Sequence, residues 1–371
     1  MSGVMKNTYA YGELMKLTET LLVSLYGYSG AEAQITAEVL VEADARNIPS
    51  HGVSRLDFYR GNLKGGFARP GTEPEIVYET PSSLVIDGHD GVGPYIAGFS
   101  VERMLAKAEK QGGAFCSVRN SNHFGIAGFW AEKAAQKNMI GLAFTNTRTC
   151  GIPTYGRERV LGTNPLCVAI PCGPEEGSRV FMLDMATTTV AHGKVEVYDR
   201  RRQTMPSGWA VDDQGLVMHD ATAFEKLFWA NPQFGGHLYL GGEGEESGGH
   251  KGFGLGLLVE LLCSGLSLGA ASYDTFLPGG GSGITHFFGA IRLDLFGGVP
   301  ALKAHIAGIL DHVKNGAKAE GRERIYIHGE KEAEARALAL KNGISLDEAT
   351  CRMLESLCAE AGLSARTPAP Q

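Results

Sequence analysis

Four short segments of the 371-residue chain hold side chains suited to chemistry. The first is SHGVSRL, residues 50–56. An imidazole titrates near neutral pH, so His51 could pass a proton to or from a carbonyl oxygen while hydride moves at the attached carbon. Ser50 beside it could orient the ring or bond the same oxygen. Arg55 stands four residues on. On a helix its guanidinium would share the face of His51 and could hold a carboxylate in a bidentate pair. A His-Gly corner can equally be a turn with no chemistry.

The second segment, SNHFGIAGFW (121–130), reads as a strand ending where a helix begins. Around His123, the residues Asn122, Phe124 and Gly125 would put backbone N–H groups at a helix N-terminus, a natural anion seat; an Asn/His helix cap is the structural alternative. In the third, LDMATTTVAHGK (183–194), Asp184 closes an apolar strand, where an acid usually has a partner such as a histidine or a ribose hydroxyl. The threonines, His192 and Lys194 add donors in the next turn, and a capped helix start is the alternative. The fourth, SGGHKGFG (247–254), sets Lys251 among glycines ahead of a long helix, a seat for phosphate or nicotinamide. It lacks the spacing and the Lys-Ser/Thr ending of a Walker motif. TNT (145–147) and LGTNP (161–165) place amides and hydroxyls at strand ends, where they could line a pocket or form Asx turns.

Other chemistries find no support. There is no HExxH and no CxxC pair, and the eleven histidines are dispersed, so no metal site is expected. A G-x-S-x-G nucleophile elbow is absent. So is G-x-G-x-x-G. The nearest approach, Gly252-Phe253-Gly254, sits in an apolar helix-like run without the third glycine, which argues against a Rossmann dinucleotide site.

The positioning elements are legible in the apolar spacing. Helical periodicity covers 10–26 and 31–47, the latter opened by a Ser29–Glu32 capping box and stopped at Ile48-Pro49. Residues 50–56 then fall at a helix-to-helix corner, where a scaffold can present side chains to a cleft. Two short strands are expected in 76–88, a helix at 95–111, a strand at 114–120, a helix at 125–137 and a strand at 141–147. Next come strands at 166–171 and 179–187, a turn-rich stretch at 199–245, and a long apolar helix near 252–268. A strand at 284–296, a helix at 300–316 and two helices within 331–362 complete the chain, and the final ARTPAPQ reads as disordered. Strict βαβ alternation is missing, which favours an α+β fold over a doubly wound sheet.

Composition narrows the partners. The 43% hydrophobic and 20% charged residues are ordinary for a globular protein with a large core. Net charge is −7, and Asp199-Arg200-Arg201-Arg202 is the only basic knot, so nucleic acid is not an expected partner. No run of 18 apolar residues reads as a membrane span, and MSGVMKNTYAYG lacks a signal-peptide pattern. Seven scattered cysteines suggest reduced, buried thiols in a cytoplasm.

Taken in order, SHGVSRL, SNHFGIAGFWAEKA, LGTNPLCVAIP, DMATTTVAHGKVEVY, PSGWAVDDQG, GHKGFGLGLLVELL and HGEKEAEARALALKNGISL resemble one family over about residues 8–362. It is the non-Rossmann malate/L-lactate dehydrogenase family, which includes ureidoglycolate dehydrogenase, sulfolactate dehydrogenase, 2,3-diketogulonate reductase and piperideine-2-carboxylate reductase. The resemblance implies a homodimer, with NAD or NADP held in a family-specific fold round a largely antiparallel sheet flanked by helices. It implies His51 as proton donor and acceptor, Ser50 and Asp184 as relay partners, and Arg55 on the carboxylate of a small 2-oxo or 2-hydroxy acid. His123, Phe124 and Gly125 would line the nicotinamide end. Asp184, Met185, Ala186, Thr187, Thr188, His250, Lys251, His328, Gly329 and Glu330 would contact the cofactor.

Residues 1–75 and 300–371 are expected to form a helical domain carrying His51 and Arg55, with 76–299 as the cofactor-binding sheet domain. Two departures from the family pattern stand out. His328 occupies a position where many members have the proline of a PGE turn, which leaves NAD and NADP both open. The segment 219–246 is less regular than the family suggests. Reduction of a cyclic imine bearing a 2-carboxylate, and a non-catalytic nucleotide-binding dimer, are the competing readings.

Overall fold

The computed structural model describes residues 7–174 and 179–363. The ARTPAPQ tail, expected to be disordered, lies outside the described residues. Strand β1 (Thr8–Tyr9) leads into α1 (Tyr11–Tyr26) and α2 (Gly30–Ala45). The expected capping box forms: the Ser29 hydroxyl accepts the Glu32 N–H, and the Glu32 carboxylate accepts the Ser29 N–H at 2.7 Å. Helix α2 ends before the Ile48-Pro49 stop. Asn47 turns left-handed at φ 60°, and the Ile48 N–H reaches back to the Ala43 carbonyl at 2.8 Å. Two single 3₁₀ turns, Pro49–His51 and Val53–Arg55, then lead into α3 (Leu56–Lys64).

The chain continues through β2 (Glu75–Glu79), β3 (Ser83–Asp87), α4 (Gly93–Gln111), β4 (Gly113–Ser121), α5 (Ala127–Ala135), β5 (Met139–Thr145), β6 (Leu166–Pro171) and β7 (Val180–Met185). Then come α6 (His192–Arg200), β8 (Ala210–Val211), α7 (Ala221–Ala230), β9 (Gly236–His237) and α8 (Gly249–Glu260). The last elements are β10 (Ile284–Arg292), α9 (Val299–Lys314), α10 (Glu330–Asn342), β11 (Ile344–Ser345) and α11 (Glu348–Glu360). The stretch expected to be turn-rich and irregular therefore contains a full helix, α7. The Asp220 carboxylate caps it through the Ala223 N–H at 3.0 Å, and Phe224 and Phe228 bury its inner face. Helix α8 starts three residues earlier than expected and runs into a π-helical turn at Leu261–Gly265.

Seven strands form one sheet in the order β2-β3-β4-β10-β5-β6-β7, and only the β3–β4 pair is parallel. The expected largely antiparallel sheet flanked by helices is what the chain builds. One face packs on α4 and α5 through residues such as Met104, Ala108, Trp130 and Ala134; α1, α2 and α11 join the same apolar cluster. Val259 of α8 and Cys263 of the π turn cover the other face over Phe144, Leu166 and Phe287. The pairings Ile284↔Ser121, His286↔Thr145, Phe144↔Leu166 and Leu166↔Met185 align the strand ends. The segments after β4, β5 and β7 and before β6 and β10 thus gather at one end of the sheet.

TNT and LGTNP meet at that end, but their amides do not face a pocket. Asn146 and Asn164 are fully buried and donate to the carboxylate of Glu260 at 3.2 and 2.8 Å. The Ser272 N–H and hydroxyl add bonds of 2.8 and 2.6 Å to the same group, and no cation is paired with it among the described residues. Glu260 thus satisfies a set of donors from several chain segments. Replacing it with Leu strands these donors, and we expect a loss of roughly 3 kcal/mol or more. Glu260→Gln, which keeps one acceptor, should cost less. Equilibrium urea denaturation measures both, and a Leu variant as stable as wild type would refute this role.

Candidate active site

Residues 49–55 owe their shape to Asp44, at the end of α2. Its carboxylate accepts the Val53 N–H at 2.7 Å, and its atoms lie where a side chain on Gly52 would stand, 1.9–2.4 Å from an added Cβ. Glycine is therefore obligatory beside His51. Burial pushes the Asp44 carboxyl up to about 7. The Arg55 Nε–H donates to the Ser50 carbonyl, folding the guanidinium back over the turn rather than along a helix face. Ser50 Oγ lies 2.9 Å from His51 Nδ1, so these two residues meet as expected. Arg55 is half-buried, its guanidinium is 5.9 Å from the Phe58 ring, and among the described residues no carboxylate lies within ion-pair distance of it. Burial lowers its pKa.

The ring of His123 stacks on that of His51 at 5.4 Å. Two residues of α3 hold it from the other sides, Phe58 edge-on at 5.8 Å and Tyr59 through a 2.9 Å contact between its hydroxyl and His123 Nδ1. The Gly125 N–H also points at His123 Nδ1, at 3.3 Å. A backbone N–H can only donate, so Nδ1 is an acceptor and the proton of the neutral ring sits on Nε2. Burial, and then the Arg55 charge, lowers His51 to about 4. Burial, and then His51 and Arg55, holds His123 well below the ordinary histidine value. Both rings are neutral near pH 7, one positioned to take a proton and the other to donate a hydrogen bond.

Phe124 is buried against His286 at 4.4 Å, with the rings nearly parallel. His286 bridges strands from within the sheet, with Thr145 Oγ1 and Ser121 Oγ each 2.8 Å from a ring nitrogen. It braces the His123 segment from below, and burial lowers it to about 3. Asn122 fastens the same segment by donating to the Phe67, Asp90 and Gly91 carbonyls at 3.0, 3.2 and 2.9 Å.

Asp184 does not hydrogen-bond a histidine. One of its oxygens accepts the Gly128 N–H of the first turn of α5 at 2.7 Å, and its other oxygen has no hydrogen-bond partner among the described residues. Solvent reaches this carboxyl, yet the protein around it pushes the pKa up to about 6. Met185 and Ala186 come next, half-buried. Thr187 and Thr188 are buried, and their hydroxyls are taken by backbone carbonyls of Thr163, Asn164 and Val190. The 328–330 turn lies against the same strand: the Met182 N–H bonds the His328 carbonyl at 3.2 Å, and Gly329 abuts the Met182 side chain. Both Glu330 oxygens are engaged, by Lys314 at 2.5 Å and Arg324 at 3.0 Å, which lowers that carboxyl to about 2 with the help of the Ile327 N–H.

His250 and Lys251 are exposed on the first turn of α8, whose N-cap Gly248 is left-handed at φ 85°, and Lys251 has no acidic partner among the described residues. A cation at a helix N-terminus suits an anion. A cavity of about 280 Å³ opens beside the same helix start, lined by Tyr155, Arg157, Gln214, Tyr239, Glu243 and Gly249, and none of the His51 cluster lines it.

The profile of the malate/L-lactate dehydrogenase family matches residues 9–355. The chain is 37% identical over 352 residues to a malate dehydrogenase of Pyrococcus abyssi, covering 95% of this chain and 94% of that one. It is 35% identical over 343 residues to an L-sulfolactate dehydrogenase of Methanocaldococcus jannaschii, covering 91% and 93%. The crystal structure of a malate dehydrogenase from Entamoeba histolytica superposes with a TM-score of 0.88 at 31% identity, covering 98% of this chain and 99% of that one.

The Asp44 support makes a pH-dependent prediction. In the folded protein this carboxyl keeps its proton up to about 7, whereas the unfolded chain releases it near 3.8. The folded state therefore binds the extra proton between those values, and the stability it contributes is lost as pH rises through 7. Asp44→Asn preserves the acceptor for Val53 but cannot ionise. Relative to that variant, wild-type stability in urea should decline from pH 4 to pH 8. A difference that does not vary with pH contradicts the assignment.

Proposed function

The chain belongs to the malate/L-lactate dehydrogenase family, and from that premise we propose that it interconverts a small 2-hydroxy acid and its 2-oxo acid with a nicotinamide cofactor. The observation that carries the reading is Arg55, a half-buried guanidinium without an acidic partner, beside an imidazole that burial keeps neutral. A desolvated cation of this kind gains most from a bidentate carboxylate. With the substrate carboxylate on Arg55, His51 takes the proton of the C2 hydroxyl during oxidation and returns it during reduction. Ser50 orients the His51 ring, and the Nε2–H of His123 donates to the same substrate oxygen as its charge develops. The cofactor, when bound, accepts or supplies the hydride at C2.

His123, Phe124 and Gly125 would face the nicotinamide. The uncommitted oxygen of Asp184, the backbone from Met185 to Thr188, and His328 and Gly329 would line the rest of the cofactor, with Glu330 bracing the turn. His250 and Lys251 would meet its diphosphate, and the unpaired ammonium on a left-handed helix start fits that charge. The reading takes NAD and NADP alike. Labour divides between residues 1–75 with 300–371, which supply Ser50, His51, Arg55 and the 328–330 turn, and 76–299, which supply the other cofactor contacts. A homodimer accounts for the exposed leucines along α8 and the π turn, among them Leu258 and Leu261. No described helix is long and apolar enough to cross a membrane, and the buried cysteines suit a reducing cytoplasm.

A 340 nm assay crossing NADH and NADPH with oxaloacetate, pyruvate, sulfopyruvate and piperideine-2-carboxylate tests the activity. His51→Ala should lower kcat by roughly 10²–10⁴-fold; near-normal turnover removes His51 from the mechanism. Oxidation needs neutral His51, so its kcat/KM should fall only as pH drops toward about 4. Since the Arg55 charge helps depress His51, Arg55→Gln should raise KM and move that acid limb upward. An acid limb unmoved in Arg55→Gln would break the coupling.

A further inference from the structure

A histidine that serves as a base commonly has a carboxylate or carbonyl behind its ring, which takes the proton of one nitrogen and leaves the other bare. His123 has a phenol in that place. Its Nδ1 lies 2.9 Å from the Tyr59 hydroxyl, and among the described residues no carboxylate contacts the ring.

The direction of the Tyr59 bond follows from its surroundings. The hydroxyl reaches two acceptors, His123 Nδ1 at 2.9 Å and the His123 carbonyl at 3.4 Å. Were Nδ1 protonated, Tyr59 could accept from it and donate to the carbonyl. The Gly125 N–H forbids that arrangement, because it points at the same nitrogen from 3.3 Å and can only donate. The left-handed φ of 84° that aims this N–H belongs to glycine, and Val39 fills the space of an added Cβ, 2.4 Å away. Two donors from separate segments thus converge on one lone pair. Burial pushes the Tyr59 phenol well up, so it keeps its own proton and supplies only a hydrogen bond.

The ring has little room to present another edge. His51 stacks on it at 5.4 Å, Tyr59 and Phe58 meet it edge-on at 5.7 and 5.8 Å, and the cavity beside it measures about 10 Å³. The other titratable or charged groups around it are Arg55, His286 and, across that cavity, Tyr28. His51 is placed differently. Ser50 Oγ, 2.9 Å from its Nδ1, can accept as well as donate, so His51 can carry its proton on Nδ1 and offer Nε2 to a hydroxyl.

We propose that Tyr59 is a positioning residue that holds His123 in its Nε2–H form, so that of the two stacked imidazoles only His51 can serve as the base. The inference rests on the dehydrogenase reading above and adds what divides the roles of the two histidines. Tyr59 touches neither substrate nor cofactor and acts through the His123 ring.

The test combines ring spectra with kinetics in wild type, Tyr59→Phe, His123→Gln and the double variant. Long-range proton–nitrogen spectra of nitrogen-15-labelled wild type at pH 7 should show the His123 ring protonated at Nε2 and bare at Nδ1. The signals missing from His123→Gln identify that ring. Tyr59→Phe, left with the longer Gly125 bond, should populate the Nδ1–H form. It should lose roughly 10–10²-fold in kcat for 2-oxo acid reduction, with KM little changed. A glutamine amide donates whatever stands behind it, so adding Tyr59→Phe to His123→Gln should cost no more than about twofold further. Wild-type His123 protonated at Nδ1, or Tyr59→Phe with unchanged ring signals or unchanged kcat, overturns the proposal. So does a loss that simply adds to that of His123→Gln, which marks Tyr59 as structural. The spectra need no substrate. Wild type that shows the expected ring form but reduces no 2-oxo acid with either cofactor overturns the dehydrogenase reading and the division of roles with it. The opposite ring form in an active enzyme overturns the Tyr59 assignment alone.

Discussion

A guanidinium and two imidazoles are packed together here, partly withdrawn from water and with no carboxylate in ion-pair contact among the described residues. Removing water from a cation is costly unless an anion replaces it, and no described carboxylate lies within ion-pair distance of Arg55, Glu196 acting on it only from farther away. Neutral histidines meet part of that demand, since a charged ring beside Arg55 would add repulsion to desolvation. The chemistry stems from this constraint. The cluster is complete when a small carboxylate arrives, and the neutral ring beside it is then a base of the right kind for a hydroxyl proton.

Much of the remaining architecture holds that cluster rigid. Asp44 and Gly52 shape the corner from α2, Tyr59 and Phe58 clamp His123 from α3, and His286 supports Phe124 from within the sheet. The largely antiparallel register brings the ends of β4, β5 and β7 and the starts of β6 and β10 together, so residues far apart in sequence share one end. Glu260 fastens two of those ends by satisfying Asn146 and Asn164. A reaction that moves both a proton and a hydride depends on such preorganisation, because small displacements of the reacting atoms are expensive in rate.

The chemical segments are readable because their residue types are rare at strand ends and helix corners. His51, Ser50, Arg55 and His123 lie together in the fold, with Arg55 folded back over the 50–55 turn where a shared helix face is expected. Helices and strands match where apolar periodicity is strong, and the Ser29–Glu32 cap is a local interaction needing no tertiary context. Long-range partners are not readable. Asp44 lies in an ordinary helical stretch, and His286 sits in an alternating strand that gives no hint of its two hydroxyl partners. Two further signals lie in the local spacing. Arg55 and Tyr59 stand at i,i+4 separation, and Asp220 with Phe224 and Phe228 marks the start and inner face of α7. TNT and LGTNP suggest pocket donors because strand-end amides often are; a lone glutamate at the end of the apolar run of α8, Glu260, is what claims them. Asp184 likewise has a backbone N–H for a partner where a side-chain partner is expected.

The most direct test is a crystal structure of the protein with NADH or NADPH and oxamate, an unreactive mimic of a 2-oxo acid. The account places the oxamate carboxylate in a bidentate pair with Arg55 and its amide carbonyl oxygen within hydrogen-bond reach of His51 and His123. Oxamate seated elsewhere, with Arg55 still unpaired and His51 remote from the nicotinamide ring, would contradict it.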